Sequence, residues 1–93
     1  MDTLHGDFIW NSHKERANIL KHGVDFQMAA QVFSDSSRKV LIDDAHSVLE
    51  SRYFCMGKVD GRVLTVRFMY RDNKIRIIGA GYWRKGSELY EKE

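Results

Sequence analysis

The spacing of apolar residues changes near the middle of the chain, from helical spacing to the alternation of strands. Aromatic and β-branched residues predict three strands, over residues 52–57, 62–70 and 74–80. Asp60-Gly61 is a strong signal for a two-residue hairpin turn, and Asp72-Asn73 is a weaker one. The second half of the chain therefore predicts three consecutive antiparallel strands.

The first half predicts a short strand that leads directly into a helix. Residues 7–10 form this opening strand. Ser12 and Glu15 have the spacing of a capping box, in which each side chain binds the free backbone N–H of the other residue. The helix runs over residues 13–22, and Gly23 ends it because glycine adopts the left-handed conformation without strain.

A second helix and one more strand complete the pattern. Asp25 is a typical N-cap residue, and the apolar residues of 26–33 fall at helical spacing, whereas residues 39–42 predict a strand. No repeat or linker interrupts the sequence, so we expect one domain over residues 1–93. The predicted fold class is α+β, with two N-terminal helices packed on a mainly antiparallel β-sheet.

The two turns determine which side chains share a face of the sheet, because a one-residue slip would exchange the faces. With both turns in place, Met69 lies opposite Arg76. The core face is predicted to hold Tyr53, Cys55, Leu64, Val66, Phe68, Tyr70, Ile75 and Ile77. The second face is predicted to hold Arg52, Phe54, Arg67, Met69, Arg71, Lys74, Arg76 and Ile78. Since neighbouring like charges cost free energy unless an anion is present, the second face predicts an anion-binding surface.

The composition narrows the classes of protein to which the chain can belong. With 43% hydrophobic and 30% charged residues, it is too apolar for a disordered segment and too charged for a membrane protein. The opening residues lack the pattern of a signal peptide, and no apolar run approaches the roughly 20 residues that span a bilayer. The single cysteine, Cys55, excludes an internal disulfide, so we expect a cytoplasmic protein that does not associate with membranes.

The formal net charge of +2 conceals an uneven distribution along the chain. Residues 1–50 hold five Lys/Arg against eight Asp/Glu, a net charge of −3. Residues 51–86 hold nine against two, a net +7, and residues 87–93 hold one against three, a net −2. The basic segment is a candidate anion-binding face, with nucleic acid as the first candidate ligand. A solvated sheet surface is the alternative interpretation.

Polar residues outside the sheet add candidate chemistry on the first helix. Lys14, Asn18 and Lys21 share one side of this helix at helical spacing. His22 lies at its C-terminus, where the helix dipole favours cations. Neutralisation of the helix end is the alternative role for Lys21 and His22.

The segment Tyr82-Trp83-Arg84-Lys85 joins two aromatic residues to two cations. Such a combination can stack on a base and bind a phosphate, as in proteins that bind single-stranded RNA. The alternative is that Trp83 anchors the C-terminal segment on the sheet.

Metal and cofactor chemistry are not indicated by the sequence. The four histidines and Cys55 lack the paired spacings of metal ligands. Gly79-Ala80-Gly81 lacks the continuation and the helix start of a phosphate-binding loop, so we interpret these glycines as a strand end or a bulge. We expect no metal site and no cofactor.

A set of short motifs runs from about residue 7 to residue 91. It comprises Phe8-Ile9-Trp10, Lys14, Asn18, Lys21-His22-Gly23-Val24, Phe26, Ala29-Ala30, Val32-Phe33, Asp35, Glu50-Ser51-Arg52, Arg76-Ile77-Ile78-Gly79-Ala80 and Tyr90-Glu91. Together these motifs resemble the signature of BrnT-type toxins. The combination of Lys-His-Gly-Val with Arg-Ile-Ile makes the resemblance specific.

The resemblance implies a toxin of a bacterial type II toxin–antitoxin pair, with a fold similar to the RelE ribonucleases. It implies metal-independent cleavage of mRNA that inhibits translation, and neutralisation by a BrnA-type antitoxin. Operator DNA would be bound only through the toxin–antitoxin complex, which represses its own operon. The matching polar positions of the family are Lys14, Lys21, His22, Arg52, Arg71 and Arg76.

These expectations give roles to individual residues. Metal-free RNA cleavage uses the substrate's own 2′-OH as the nucleophile, so the protein must move protons and stabilise charge on the phosphate. The predicted catalytic residues are Lys21 and His22, for proton transfer, and Arg52 and Arg76, for phosphate stabilisation. The predicted RNA-binding residues are Lys14, Arg67, Arg71, Tyr82, Trp83 and Arg84.

Two features depart from the pattern of the family. The resemblance implies a C-terminal helix, which is shorter here and reads Gly86-Ser87-Glu88-Leu89-Tyr90. The family continues its Arg-Ile-Ile strand as Ser-Ala-Arg, whereas this chain has Gly79-Ala80-Gly81. Arg84 and Lys85 are the candidates that could replace the missing cation. The alternative hypothesis is therefore an RNA-binding or antitoxin-binding module with weak or no catalysis.

Overall fold

The computed structural model describes residues 1–92 as a six-stranded sheet with three helices. The strands are β1 (Asp2–His5), β2 (Phe8–Asn11), β3 (Lys39–Ile42), β4 (Tyr53–Val59), β5 (Arg62–Arg71) and β6 (Lys74–Gly81). The helices are α1 (Ser12–His22), α2 (Phe26–Gln31) and α3 (Arg84–Glu91), with 3₁₀ turns at Val32–Ser34 and Asp44–His46. The sheet order is β1-β2-β6-β5-β4-β3, and every neighbouring pair is antiparallel except β2 and β6. The predicted α+β fold class is confirmed.

Both predicted hairpin turns are present. The two central residues of each turn, at 60–61 and 72–73, have positive φ, which is the type I′ geometry of two-residue hairpins. The β4–β5 ladder has the predicted register, and Met69 lies opposite Arg76 on β6. The distribution of side chains between the two faces therefore follows the prediction over most of the sheet.

A bulge in β6 corrects the predicted alternation near the end of that strand. Phe68 lies opposite Ile77, whereas its neighbour Arg67 lies opposite Gly79, so Ile78 has no partner in the ladder. Beyond the bulge, Gly79 and not Ile78 continues the face of Arg67, and Ala80 turns into the core. The interpretation of these glycines as part of a bulge is confirmed.

The beginning of α1 differs from the prediction. Asn11 is the N-cap residue, and its side-chain Oδ1 accepts hydrogen bonds from the backbone N–H groups of residues 13 and 14. The capping box of Ser12 and Glu15 was therefore a wrong prediction. Glu15 instead accepts hydrogen bonds from Trp10 Nε1 at 3.1 Å and from the backbone N–H of Phe26 at 2.9 Å, which joins β2, α1 and α2.

The ends of the helices agree with the prediction in most respects. Gly23 has a φ of +70°, and its backbone N–H donates to the carbonyl of Ile19, so it ends α1 as predicted. Asp25 caps α2 by accepting from the backbone N–H of Met28 at 2.7 Å. The predicted second helix over 26–33 is shorter than expected, because its last residues form the first 3₁₀ turn.

The apolar core lies between one face of the sheet and the segment from α1 to the first 3₁₀ turn. Tyr70, predicted on this face, is 56% exposed because it lies near the end of β5, where its ring contacts those of Tyr53 and Phe68. The buried cluster comprises Trp10, Val24, Phe26, Ala29, Ala30, Val32, Cys55, Val59, Leu64, Val66, Phe68, Ile77 and Ala80.

Helix α3 packs on the second face of the sheet, opposite the other two helices. Gly86 makes this close approach possible, because a Cβ atom at that position would lie 2.0 Å from Thr65 Oγ1 and 3.3 Å from Met56 Cγ. At the end of α3, the Tyr90 hydroxyl donates to Asp35 Oδ2 at 2.6 Å. Helix α3 therefore covers one part of the second face and leaves the remainder open.

A buried carboxamide attaches α1 to the sheet. Asn18 Nδ2 donates to the carbonyls of Val24 and Ala80 at 2.9 and 2.8 Å, and its Oδ1 accepts from the backbone N–H of Ala80 at 3.1 Å. The predicted polar stripe of Lys14, Asn18 and Lys21 is therefore corrected, because its central residue faces inward and has a structural role.

We expect Asn18→Leu to lower the free energy of unfolding by about 2–4 kcal/mol, because it leaves three buried backbone groups without hydrogen-bond partners. Gln27→Leu, at an exposed amide on α2, is the matched control and should change stability by less than about 0.5 kcal/mol. Urea denaturation followed by circular dichroism measures both values. Equal, small effects of the two substitutions would contradict the structural role of Asn18.

Candidate functional site

The open part of the second face carries two neighbouring clefts. The first, here called the basic cleft, has a volume of about 280 Å³ and is lined by Asn11, Lys14, Glu50, Arg52, Met69, Arg71, Arg76, Ile77 and Ile78. The second, the aromatic cleft, has a volume of about 310 Å³ and is lined by Asn18, His22, His46, Phe54, Thr65, Arg67, Gly79, Ala80, Gly81, Tyr82 and Trp83.

The two clefts adjoin along β5. Arg67 lines the aromatic cleft and Met69 lines the basic cleft. These residues are two positions apart on the same face of one strand, a separation of about 7 Å. Neighbouring monomers of an extended polymeric ligand are separated by a similar distance. One such ligand can therefore contact both clefts at once.

The basic cleft gathers four of the predicted cations, Lys14, Arg52, Arg71 and Arg76. Strand pairing explains part of the arrangement, because the register of β5 and β6 places Arg76 opposite Met69 on the same face of the sheet. Arg52 precedes β4 by one residue, and its backbone carbonyl accepts from the N–H of Asp43 at 2.7 Å, which fixes the start of the strand.

Two carboxylates already neutralise part of this charge. Asp2, on β1, binds Arg76 through Oδ2–Nη2 and Oδ1–Nη1 contacts of 2.8 and 3.4 Å. Glu50 binds the guanidinium of Arg71 through both of its carboxylate oxygens. The hydrogen bond from Arg76 lowers the pKa of Asp2, and the one from Arg71 lowers the pKa of Glu50. Both acids therefore stay ionised at neutral pH, where they occupy the arginines much as an anionic ligand would.

The other two cations of the basic cleft are open to a ligand. Within residues 1–92, neither Lys14 nor Arg52 forms an ion pair with an acidic side chain. Arg76 is only 18% exposed, and its Nε atom is buried without a hydrogen-bond partner among the described residues. Lys14 and Arg52 are therefore the cations of this cleft that an anionic ligand can bind without displacing a carboxylate of residues 1–92.

The aromatic cleft combines a stacking surface with an imidazole and a cation. Trp83 packs against Phe54 with ring centroids 5.5 Å apart and an interplanar angle of 35°. Trp83 nevertheless remains 45% exposed, so it both anchors the segment after β6 and presents ring surface to the cleft. His22 and Arg67 line the same cleft.

His22 packs directly beside Gly81. A Cβ atom at this position would lie 3.4 Å from both Cγ and Nδ1 of the His22 ring, which is an ordinary van der Waals contact. Position 81 therefore carries no cation, although the resemblance leads us to expect an arginine there, and Arg67 contributes a cation to this cleft from β5. Arg84, predicted as a replacement, lies instead in a separate surface groove.

The separate groove extends the basic surface past the end of β6. Its lining includes Lys58, Arg62, Tyr82, Trp83 and Arg84. The Arg62 guanidinium lies over the Tyr82 ring, 3.7 Å from the ring centroid. Tyr82 is therefore covered on one side by Arg62, which limits the stacking surface that it offers to a base.

Lys21 is the predicted catalytic residue that the structure separates from the others. It is exposed near the end of α1, and it does not line either cleft as the structure describes them over residues 1–92. His22, the next residue, points to the aromatic cleft because Asn18 fixes the orientation of α1.

Sequence reasoning missed Asp2, Glu50 and His46 as residues of the site. Asp2 belongs to β1, whose four residues are all exposed and so give no alternation that predicts a strand. His46 is the last residue of the 3₁₀ turn after β3, and its Nδ1 lies 2.9 Å from Asp43 Oδ2. The arginines that bind Glu50 and Asp2 were already evident in the sequence. Which acid binds which arginine depends on the tertiary fold, so the sequence did not predict these pairs.

The thiol of Cys55 is buried in the apolar core. Burial raises the pKa of the Cys55 thiol to about 12, so this thiol is protonated and unreactive at neutral pH. Residues 1–92 hold no group of three or more His, Cys, Asp or Glu side chains arranged to bind a metal ion. None of the helices in these residues is long and apolar enough to cross a membrane.

The comparison with protein families agrees with the geometry. The model of one family, described as the ribonuclease toxin BrnT of type II toxin–antitoxin systems, matches residues 10–86 of the 93. Both clefts lie within this segment, and Asp2 is the only residue described at the site that lies outside it. Comparison with curated proteins gives no match. The chain therefore belongs to the BrnT family of ribonuclease toxins from type II toxin–antitoxin systems.

Proposed function

We propose that this toxin cleaves mRNA in the cytoplasm without a metal ion and thereby inhibits translation. The observation that carries the proposal is the basic cleft, where three arginines and Lys14 meet on one face of the sheet. Membership of the BrnT family supplies the ribonuclease activity. The proposal treats residues 1–93 as one domain with RelE-like architecture.

The substrate strand would cross both clefts. The backbone lies along the second face of β5, with phosphates near Arg67 in the aromatic cleft and near Arg52 and Arg76 in the basic cleft. A base of the same strand stacks on the exposed surface of Trp83, which Phe54 supports from beneath. Arginine suits the phosphate contacts at Arg52, Arg67 and Arg76, because the planar guanidinium group can bind two phosphate oxygens at once.

The proposed reaction is an internal transesterification. The 2′-hydroxyl gives up its proton as its oxygen attacks the neighbouring phosphorus, and the bond from phosphorus to the 5′-oxygen breaks. The 5′-oxygen takes up a proton, so a 2′,3′-cyclic phosphate and a 5′-hydroxyl result. His22 is the group that transfers a proton, because its ring lines the cleft whereas Lys21 lies outside both clefts. Arg52 and Arg76 stabilise the charge that develops on the phosphate oxygens.

A second candidate function follows from Gly81. The cation that the family carries at this position is replaced here by hydrogen, and the space beside it is taken by His22. An RNA-binding or antitoxin-binding protein with weak catalysis would keep the basic cleft but would cleave RNA slowly or not at all. Arg67 supports the ribonuclease instead, because it supplies a cation to the same cleft from the neighbouring strand.

The antitoxin partner is proposed to be of the BrnA type. It would neutralise the toxin by covering the clefts, and the complex, rather than the toxin alone, would bind operator DNA. Carboxylates are chemically suited to this task, since Asp2 and Glu50 already bind two arginines of the basic cleft.

We expect Arg76→Ala and Arg52→Ala each to lower the rate of RNA cleavage by about 10²–10³, because each removes a donor to the charged phosphate. Arg16→Ala is the matched control, since Arg16 is exposed on α1 and lines neither cleft. Single-turnover cleavage of a short single-stranded RNA measures the rates, and thermal unfolding shows that the variants remain folded. Arg76→Ala and Arg52→Ala rates equal to that of the control would refute the assignment. Tight binding by a wild-type protein that leaves RNA intact would favour the second candidate function.

Removal of a competing carboxylate should have the opposite effect on binding. We expect Asp2→Asn to tighten the binding of a non-cleavable 2′-deoxy oligonucleotide by about threefold to tenfold, because Arg76 is freed and the net charge rises. Asp60→Asn makes the same charge change at an exposed turn position that lines neither cleft. Fluorescence anisotropy at fixed salt compares the two variants, and an equal gain for both would show a general charge effect.

A further inference from the structure

Strand β3 ends the sheet with an unusually apolar edge. It pairs with β4 on one side and is the last strand in the sheet order. Val40, Leu41 and Ile42 are 45%, 41% and 53% exposed, so apolar side chains reach solvent on both faces of this strand. Proteins usually protect edge strands with charges, proline or bulges, because an unprotected apolar edge pairs with other chains.

The hydrogen bonds of β3 show which backbone groups are free. The N–H of Asp43 donates to the carbonyl of Arg52 on the β4 side. Because the direction of these groups alternates along a strand, Leu41 also faces β4, and the N–H and C=O groups of Val40 and Ile42 face outward. The free edge therefore presents two outward donors and two outward acceptors.

The sequence around this edge is complementary to itself. Residues 38–44 read as two basic, three apolar and two acidic residues: Arg38, Lys39, Val40, Leu41, Ile42, Asp43 and Asp44. An antiparallel pairing of two copies centred on Leu41 places Val40 opposite Ile42, and it places each basic residue opposite an acidic one. This register also matches the outward groups of Val40 and Ile42, which then form four hydrogen bonds between the copies.

We infer that β3 is a self-association surface, at which two copies of this chain pair their β3 edges around a two-fold axis through Leu41. A two-fold axis perpendicular to the sheet keeps each face continuous, because opposite residues then point to the same side. The result is a twelve-stranded sheet built from two copies of the six-stranded one. The inference does not depend on the ribonuclease proposal, since β3 lines neither cleft.

Opposite charges at the ends of the paired strands favour this partner over an unrelated strand. Arg38 and Asp44 are both exposed and flank β3 on either side, so each Arg38 lies near the Asp44 of the other copy at both ends of the paired strands. Arg38 Nη1 donates to the carbonyl of Asp35 at 3.2 Å, and the remaining guanidinium N–H groups are left for Asp44. Lys39 and Asp43 contribute less, because Lys39 Nζ donates to the carbonyl of Leu89 and Asp43 binds His46 within each copy. Arg38 and Asp44 are therefore the pair to test.

The charge test uses reversal and rescue. Sedimentation equilibrium of the full chain over a range of concentrations should show a monomer–dimer equilibrium for the wild type. Arg38→Glu should weaken the dimer by about tenfold or more, since it places a second carboxylate opposite Asp44 at both ends of the paired strands. Arg38→Glu combined with Asp44→Arg should restore the wild-type dissociation constant. A wild type that stays monomeric, or a double variant that is not rescued, overturns the inference.

The register test uses two matched cysteine variants. At the two-fold axis, the Leu41 Cα atoms of the two copies lie about 4.5 Å apart, within the range that a disulfide bridges. The Val40 Cα atoms are offset by two residues and lie beyond about 7 Å, outside that range. Under mild oxidation Leu41→Cys should therefore form a covalent dimer and Val40→Cys should not, and buried Cys55 does not interfere. Equal crosslinking of both variants, or none, contradicts the register. Protection of the β3 amides from hydrogen exchange only when an antitoxin is present would assign the edge to that protein instead.

Discussion

The fixed position of α1 against the end of β6 is the constraint on which the site depends. Asn18 creates it, because its carboxamide satisfies both backbone groups of Ala80 and the carbonyl of Val24 in a buried environment. The helix then places its C-terminal His22 beside Gly81 and its N-terminal Lys14 over the basic cleft. One buried polar side chain thus determines where the imidazole and a lysine stand relative to the arginines of the sheet.

The second constraint is electrostatic. Placing Arg52, Arg71 and Arg76 on one face raises the free energy of the folded state through like-charge repulsion, which partners of opposite sign relieve. Asp2 and Glu50 supply part of that relief within the chain, and both pairs are partly exposed, so each contributes little to stability and can exchange with another anion.

Local sequence patterns predicted the hairpin turns and the register of the central strands. They did not predict the contacts between segments that are far apart in the chain. The hairpin turns fixed the β4–β5–β6 register, so the second face and most of its cations followed from alternation alone. The bulge at Ile78 was only indicated by glycines, and its position depends on packing against α1. Asn11 replaced Ser12 as the cap because Glu15 is used elsewhere. The pairing of Asp2 with Arg76 joins residues at opposite ends of the chain, which no local pattern encodes.

The chemical nature of the cleavage products tests the central claim most directly, because it reports which oxygen attacks the phosphate. The measurement is the mapping of RNA ends after incubation with the purified toxin in the presence of EDTA. If the cations of the clefts and His22 carry the reaction, the products end in a 2′,3′-cyclic phosphate and begin with a 5′-hydroxyl. Products with a 3′-hydroxyl and a 5′-phosphate, or cleavage that occurs only when a divalent metal is restored, would contradict the account.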